Sequence, residues 1–139
     1  MNTDHWVNRL AAIPDRIARA VAGESEAALR RAPDSGGWSA AEIFAHVRAS
    51  DDIQSFRLYA LLVRNHSPLP AYDEIPWAVV AGYADADINA SLHAFAVHRA
   101  EVVGALRRLT IADWGRVGMH EQRGEVSLLH ELIYQVEHE

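Results

Sequence analysis

The sequence of 139 residues contains no cysteine and no lysine. The first absence removes disulfides, thiolate nucleophiles and Cys-ligated zinc together. The second leaves arginine as the whole basic complement, 13 residues against 19 acids, for a net charge of −6. The doublets Arg30-Arg31 and Arg107-Arg108 stand apart from each other, so there is no basic stripe of the kind that holds nucleic acid. Long apolar runs are missing too. None approaches the roughly 20 residues that span a bilayer. The N-terminus carries Asp4 among spaced apolar residues, which is not the pattern of a secretion signal. No internal repeat or low-complexity tract occurs. These absences point to a soluble cytoplasmic protein with neither a nucleic-acid nor a membrane partner.

What is present is a helical composition. Half the residues are hydrophobic, and alanine, the strongest helix former, is abundant. A chain of this length forms one domain, here residues 1–139, and buries roughly 68–70% of its unfolded surface without staples.

Four helices follow from the 3.6-residue period. The first places Trp6, Leu10, Ile13, Ile17 and Val21 on one face and ends at Gly23. Pro14 either kinks it or opens its second half. "ESEAALRR" adds a short helical segment. The second helix starts at a capping box, Ser39 with Glu42, and runs to about Arg64 with Ile43, Val47, Ser50, Gln54, Leu58, Leu61 and Leu62 in its stripe. A long loop follows, residues 65–83, holding Pro68, Pro70 and Pro76. Connections this long are uncommon and often functional. The third helix runs from about Asp85 to Leu109, with Ile88, Leu92, Phe95, Val102, Val103 and Leu106 in line. The fourth starts from Ser127 as N-cap and lines up Leu128, Leu132 and Val136. No strand alternation of useful length is visible. The expected fold is an all-α four-helix bundle with a long loop between helices 2 and 3.

Eight histidines invite a search for metal spacing. "HELIY" at His130 has Tyr134 where a zincin needs its second histidine. No glutamate has a histidine three residues later, which excludes the ferritin-like pattern. His46 and His138 are better placed. Each lies on the flank of its helix's apolar stripe, so the two can meet at an edge of the bundle and share an ion. The alternative is a pair of half-exposed histidines with solvated tips. A catalytic zinc wants three protein ligands and an open position, which two histidines do not supply.

Arg99 falls near the centre of the third helix's apolar stripe, where a charge must be paired or carry a large desolvation penalty. Asp51, Glu131 and Glu139 are candidate partners. The residue is a buried ion pair, a long side chain snorkelling to the surface, or an anchor for an anionic substrate. His98 can line the same cleft. Tyr72, Asp73 and Glu74 form either a lid or a surface loop pinned by Trp77. His5, His66, His93, His120 and His130 have no supporting pattern.

"GWSAAEIFAHV", "SLHAFAVHRAEVVGALRRLTIADW" and "GEVSLLHELIYQVEHE" together resemble DinB/YfiT-like proteins, in order and with similar spacing over most of the chain. The resemblance implies a DinB-type four-helix bundle, often dimeric, with a three-histidine site for a divalent metal (Zn, Ni, Fe or Mn). By motif match His46 is the ligand from the second helix and His138 the first of an H-x-x-x-H pair on the fourth. The mate would fall three residues past Glu139, so the expectation is a fourth helix lacking its C-terminal end.

Relatives of this kind include thiol transferases that use mycothiol or bacillithiol, and metal-dependent hydrolases or isomerases. The resemblance therefore implies a metal-dependent S-transferase or hydrolase acting on a small-molecule substrate, with a low-molecular-weight thiol as a second cofactor. His46 and His138 would be ligands, Arg99 would bind a substrate carboxylate, and the 65–83 loop would close the pocket. The rival expectation is a non-catalytic bundle serving as a dimerisation or small-ligand-binding module.

Overall fold

The computed structural model describes residues 2–139. Its elements run α1 (Thr3–Val21), α2 (Glu26–Leu29), α3 (Ala40–Val63), β1 (Ser67–Leu69), α4 (Glu74–Ala81), α5 (Ile88–Leu106), β2 (Val117–His120), β3 (Gly124–Ser127) and α6 (Leu128–His138), with 3-10 turns at Tyr83–Asp85 and Asp113–Gly115. The four long helices α1, α3, α5 and α6 form the bundle. α3 packs on α5 and α6, and α1 packs on the same two from the other side.

Helix starts follow local chemistry. Asn2, Ser39, Asp87 and Ser127 each accept a backbone N–H of their helix's first turn through a side-chain oxygen, satisfying donors that have no partner within the helix. α1 passes through Pro14 unbroken. Leu10, Ile13, Val47, Leu58, Leu61, Phe95, Val102, Leu106 and Leu132 fill the shared core, each large aliphatic or aromatic side chain contributing about 1.5–3 kcal/mol by leaving water. Ile43, expected in the α3 stripe, is 45% exposed. Ala41 and Ala45, on either side of it along the chain, are buried instead.

Three expectations need correction. A three-stranded sheet of order β1-β2-β3 exists where no strand was expected, with β1 parallel to β2 and β2 antiparallel to β3. Strands of three or four residues are too short for alternation to stand out from chance. Pro68 is tolerated because β1 is an edge strand, where a missing N–H breaks no ladder. The 65–83 segment, expected as a long loop, contains β1, α4 and a 3-10 turn. The third long helix is also shorter than expected at both ends, Ile88–Leu106.

The sheet lies directly against α3. A Cβ added to Gly118 would stand 2.7 Å from Leu61 Cδ2 and 2.8 Å from the Ser67 carbonyl oxygen, so only glycine allows β2 to approach this closely. No helix among the described residues is long and apolar enough to cross a membrane.

Candidate metal and substrate site

His46 sits on the second turn of α3. The capping box fixes that turn: Glu42 Oε2 accepts from Ser39 N at 2.8 Å, while Ser39 Oγ accepts from Glu42 N at 3.3 Å. The imidazole is 8% exposed. Trp38 closes one side with ring centroids 5.1 Å apart, and Tyr72 stacks on it at 5.9 Å and 11°. His138 comes from α6 to within 5.4 Å of the His46 ring, itself stacked on Tyr134 at 6.1 Å. The structure therefore brings His46 and His138 together across the α3–α6 seam.

His46 Nδ1 is buried and has no hydrogen-bond partner. Burial, then the neighbouring His138, push the His46 pKa below its ordinary value, against a smaller opposite pull from Glu74. A desolvated imidazole of this kind stays neutral near pH 7, which is the form that coordinates a metal. Two neighbouring imidazoles at 64° to each other, one with an orphaned ring nitrogen, fit two positions of a divalent-metal site. Among the described residues no group of three or more His, Cys, Asp or Glu side chains is arranged to hold an ion.

The 65–83 segment packs over His46, while His138 stays exposed. Tyr72 rests against Trp77 with centroids 5.3 Å apart, and its hydroxyl lies 2.8 Å from that of Tyr83. Burial raises the pKa of both phenols, so they remain neutral donors. Asp73 and Glu74 are exposed at the start of α4.

Arg99 is 1% exposed and its guanidinium lies over Phe95 at 4.6 Å. Nε and Nη2 donate to Asp51 Oδ1 at 3.1 and 2.7 Å, Nη2 also reaches both Glu139 carboxylate oxygens at 2.8 Å, and Nη1 donates to the Leu10 carbonyl at 3.3 Å. Asp51 in turn takes Gln135 Nε2 at 3.1 Å, and His98 Nδ1 lies 2.6 Å from its second oxygen. All three nitrogens of Arg99 are spent on protein groups, the geometry of a buried ion pair. Of the candidate partners, Asp51 and Glu139 meet it. Glu131 does not: its Oε1 accepts from Arg123 Nη2 at 2.6 Å.

Below the histidine pair lies a cavity of about 90 Å³ lined by Ser50, Gln54, Arg57, Tyr72, Glu74, His120, Gln122, Arg123, Tyr134 and His138. His120, without support in the sequence, is 4% exposed here, and its Nδ1 accepts the backbone N–H groups of Gln122 and Arg123 at 3.1 and 3.3 Å. Burial, then Arg123 and Arg57, lower its pKa. Sequence reasoning missed His120 and Arg123 because they come from a hairpin it did not see. Ser50 and Gln54 did carry a signal, as polar residues standing in an apolar stripe.

Comparison with known proteins accords with this layout. A sequence profile of the DinB superfamily matches residues 9–139. A protein of Oceanobacillus iheyensis named "Putative metal-dependent hydrolase" is 24% identical over 125 residues, covering 90% of this chain and 72% of the relative. "Putative metal-dependent hydrolase YfiT" of Bacillus subtilis is 24% identical over 131 residues, covering 94% and 73%. The solved structure of YfiT from Bacillus subtilis, a four-helix bundle of unusual topology, superposes with a TM-score of 0.90 at 23% identity, over 98% of this chain and 78% of that one. The crystal structure of a mycothiol-dependent maleylpyruvate isomerase gives 0.78 at 13% identity, over 99% and 57%. With its motifs, its fold and the matched span from residue 9 to 139 in agreement, the chain belongs to the DinB/YfiT-like family of the DinB superfamily.

Proposed function

We propose that the chain is a metal-dependent enzyme acting on a small molecule, with His46 and His138 as two ligands of a divalent ion. The observation that carries this reading is the buried, unpartnered Nδ1 of His46 beside His138. An orphaned buried nitrogen is unfavourable unless something binds it. The ion, when bound, supplies positive charge that makes a water or thiol acidic enough to act as a nucleophile near neutral pH. The names of the relatives support hydrolysis as the reaction class, and the isomerase likeness supports a thiol of the mycothiol or bacillithiol type as co-substrate for S-transfer.

The chain's own residues have defined tasks in this reading. Trp38, Tyr72 and Tyr83 keep water from His46 and hold its ring neutral. Tyr134 orients His138 by stacking. The Asp51–Arg99–Glu139 ties set the spacing between α3 and α6, and with it the distance between the two imidazoles. Arg99 acts here as a positioning residue, since its donors are already engaged.

The test is metal titration of the full chain by calorimetry with elemental analysis, alongside His46→Ala and His138→Ala. Binding of about one ion per chain that either variant abolishes is the expected result. No binding of Zn, Ni, Fe or Mn by the unmodified chain would leave the non-catalytic bundle as the reading. Metal-loaded protein is then assayed with and without an added thiol, which separates hydrolysis from S-transfer.

A further inference from the structure

The seam between α3 and α6 is polar where a bundle needs it least. Ser50, Gln54 and Arg57 follow His46 at four, eight and eleven residues, which stacks all four on one helix face. They are 2%, 4% and 3% exposed. Buried ions and amides stabilise a fold no better than apolar side chains of similar size, so fold stability alone does not account for them. Their common property is that they line the cavity that reaches His138.

That cavity is electrically lopsided. Arg57 and Arg123 both line it, and burial, then Arg123, disfavour the charged form of Arg57 against a pull the other way from Glu131. Between them stands one fully buried carboxylate, Glu131. Glu74, the acid on the cavity wall, acts at the opposite end, on His46 and Tyr83. Glu121 acts on Arg57 from the exposed surface, with its own Oε2 taking the Ala71 N–H at 2.7 Å.

The two guanidiniums differ in what they have left to give. Arg57 spends Nε and Nη2 on the Pro70 carbonyl at 3.0 and 2.6 Å and Nη1 on Gln54 Oε1 at 3.2 Å. Arg123 donates one Nη2 bond to Glu131 and lies over the Tyr134 ring at 4.3 Å. Among the described residues, Nε and Nη1 of Arg123 have no partner. A guanidinium held over an aromatic face, with one nitrogen occupied and two without a partner, is pre-organised for a second carboxylate.

We propose that this cavity is a carboxylate subsite: Arg123 clamps the carboxylate of a small organic substrate, whose reacting group then lies toward the His46–His138 pair. The second half rests on the metal-site reading above, whereas the first does not. Arg57 adds charge without a direct bond. Ser50 and Gln54 offer neutral polar contact along the path between the two ends. The subsite selects for a negative charge, so a neutral isostere of the same shape binds poorly.

The test titrates acetate and acetamide into the metal-free full chain, followed by NMR at the Arg123 Nε–H and at the amides of residues 122–124. Acetate should bind saturably and at least about 10-fold more tightly than acetamide, since hydrogen bonds between charged groups are the strong ones. Arg123→Gln leaves Glu131 buried and unpaired, so it is made together with Glu131→Gln. The double variant, shown folded by circular dichroism, should lose about 10-fold of the acetate affinity and none of that for acetamide. Equal binding of the two probes by the unmodified chain overturns the proposal, and so does full acetate affinity in the folded double variant. A chain that binds acetate but no metal refutes only the metal reading, and one that binds metal but not acetate refutes only the subsite.

Discussion

Arg99 Nη1 donates to the Leu10 carbonyl at 3.3 Å, the carbonyl whose helical partner would be the N–H that Pro14 lacks. The proline in α1 and the arginine in the middle of α5 thus resolve each other. The helix keeps running because its orphaned acceptor is served from outside. The arginine tolerates burial because α1, α3 and α6 all supply it with acceptors.

Removing that arginine should therefore be severe. Arg99→Met would leave Asp51 and Glu139 buried without their cation, and we expect a loss of about 3–5 kcal/mol in urea unfolding. Pro14→Ala should change stability by less than about 1 kcal/mol, because the restored N–H takes over the Leu10 carbonyl. A loss below about 1 kcal/mol for Arg99→Met would contradict the ion-pair account.

Gly118 should tolerate no side chain. The backbone oxygen of Ser67, 2.8 Å from the position of an added Cβ, cannot retreat without breaking the β1–β2 pairing. Gly118→Ala should cost about 1–3 kcal/mol through overpacking, read as a lowered thermal midpoint. An unchanged midpoint would mean that the sheet can slide away from α3.

The start of α3 carries His46, so its cap bears on the site. Ser39→Ala should cost about 1 kcal/mol and raise amide exchange in the first turn of the helix. Ser39→Thr keeps the hydroxyl and should restore both. If exchange in residues 40–43 does not change in Ser39→Ala, the capping box is not what holds that turn.

The two buried histidines should lower stability on the acid side, against an opposite contribution from Glu139, whose carboxyl pKa is raised by burial. His46 and His120 both have folded pKa values below the reference of 6.5, so the unfolded chain takes up these protons more readily than the folded one. The sign follows: the stabilising contribution is complete above about pH 6.5 and is lost as the pH falls through the folded values. His120→Gln should flatten the profile of thermal midpoint between pH 7 and 5. A variant profile parallel to that of the unmodified chain would show that His120 does not titrate with unfolding.

Periodicity and caps made the bundle legible, because each is a property of a single helix. The apolar rows of α1, α5 and α6 and the N-caps at Ser39 and Ser127 are local facts that burial converts directly into packing. His46 and His138 were legible for the same reason, as flank positions on helices whose facing could be read. The sheet was not. Three strands of three or four residues have no period to detect, and β1 and β2 lie some fifty residues apart, Ser67 opposite Gly118.

The sequence by itself determined the apolar rows on which α1, α5 and α6 pack, that a charged residue would sit in the α5 stripe, and that two histidines would flank one edge of the bundle. Tertiary structure alone decided the pairings: Arg99 with Asp51 and Glu139 rather than Glu131, Arg123 with Glu131, and a cavity walled from α3, α6 and an unforeseen hairpin. The physical reason is that spacing along a helix fixes a direction, whereas a partner is fixed by distance in space. Which of several buried charges meet depends on how helices cross and where the connecting segments return, and neither is written in the period of any one of them.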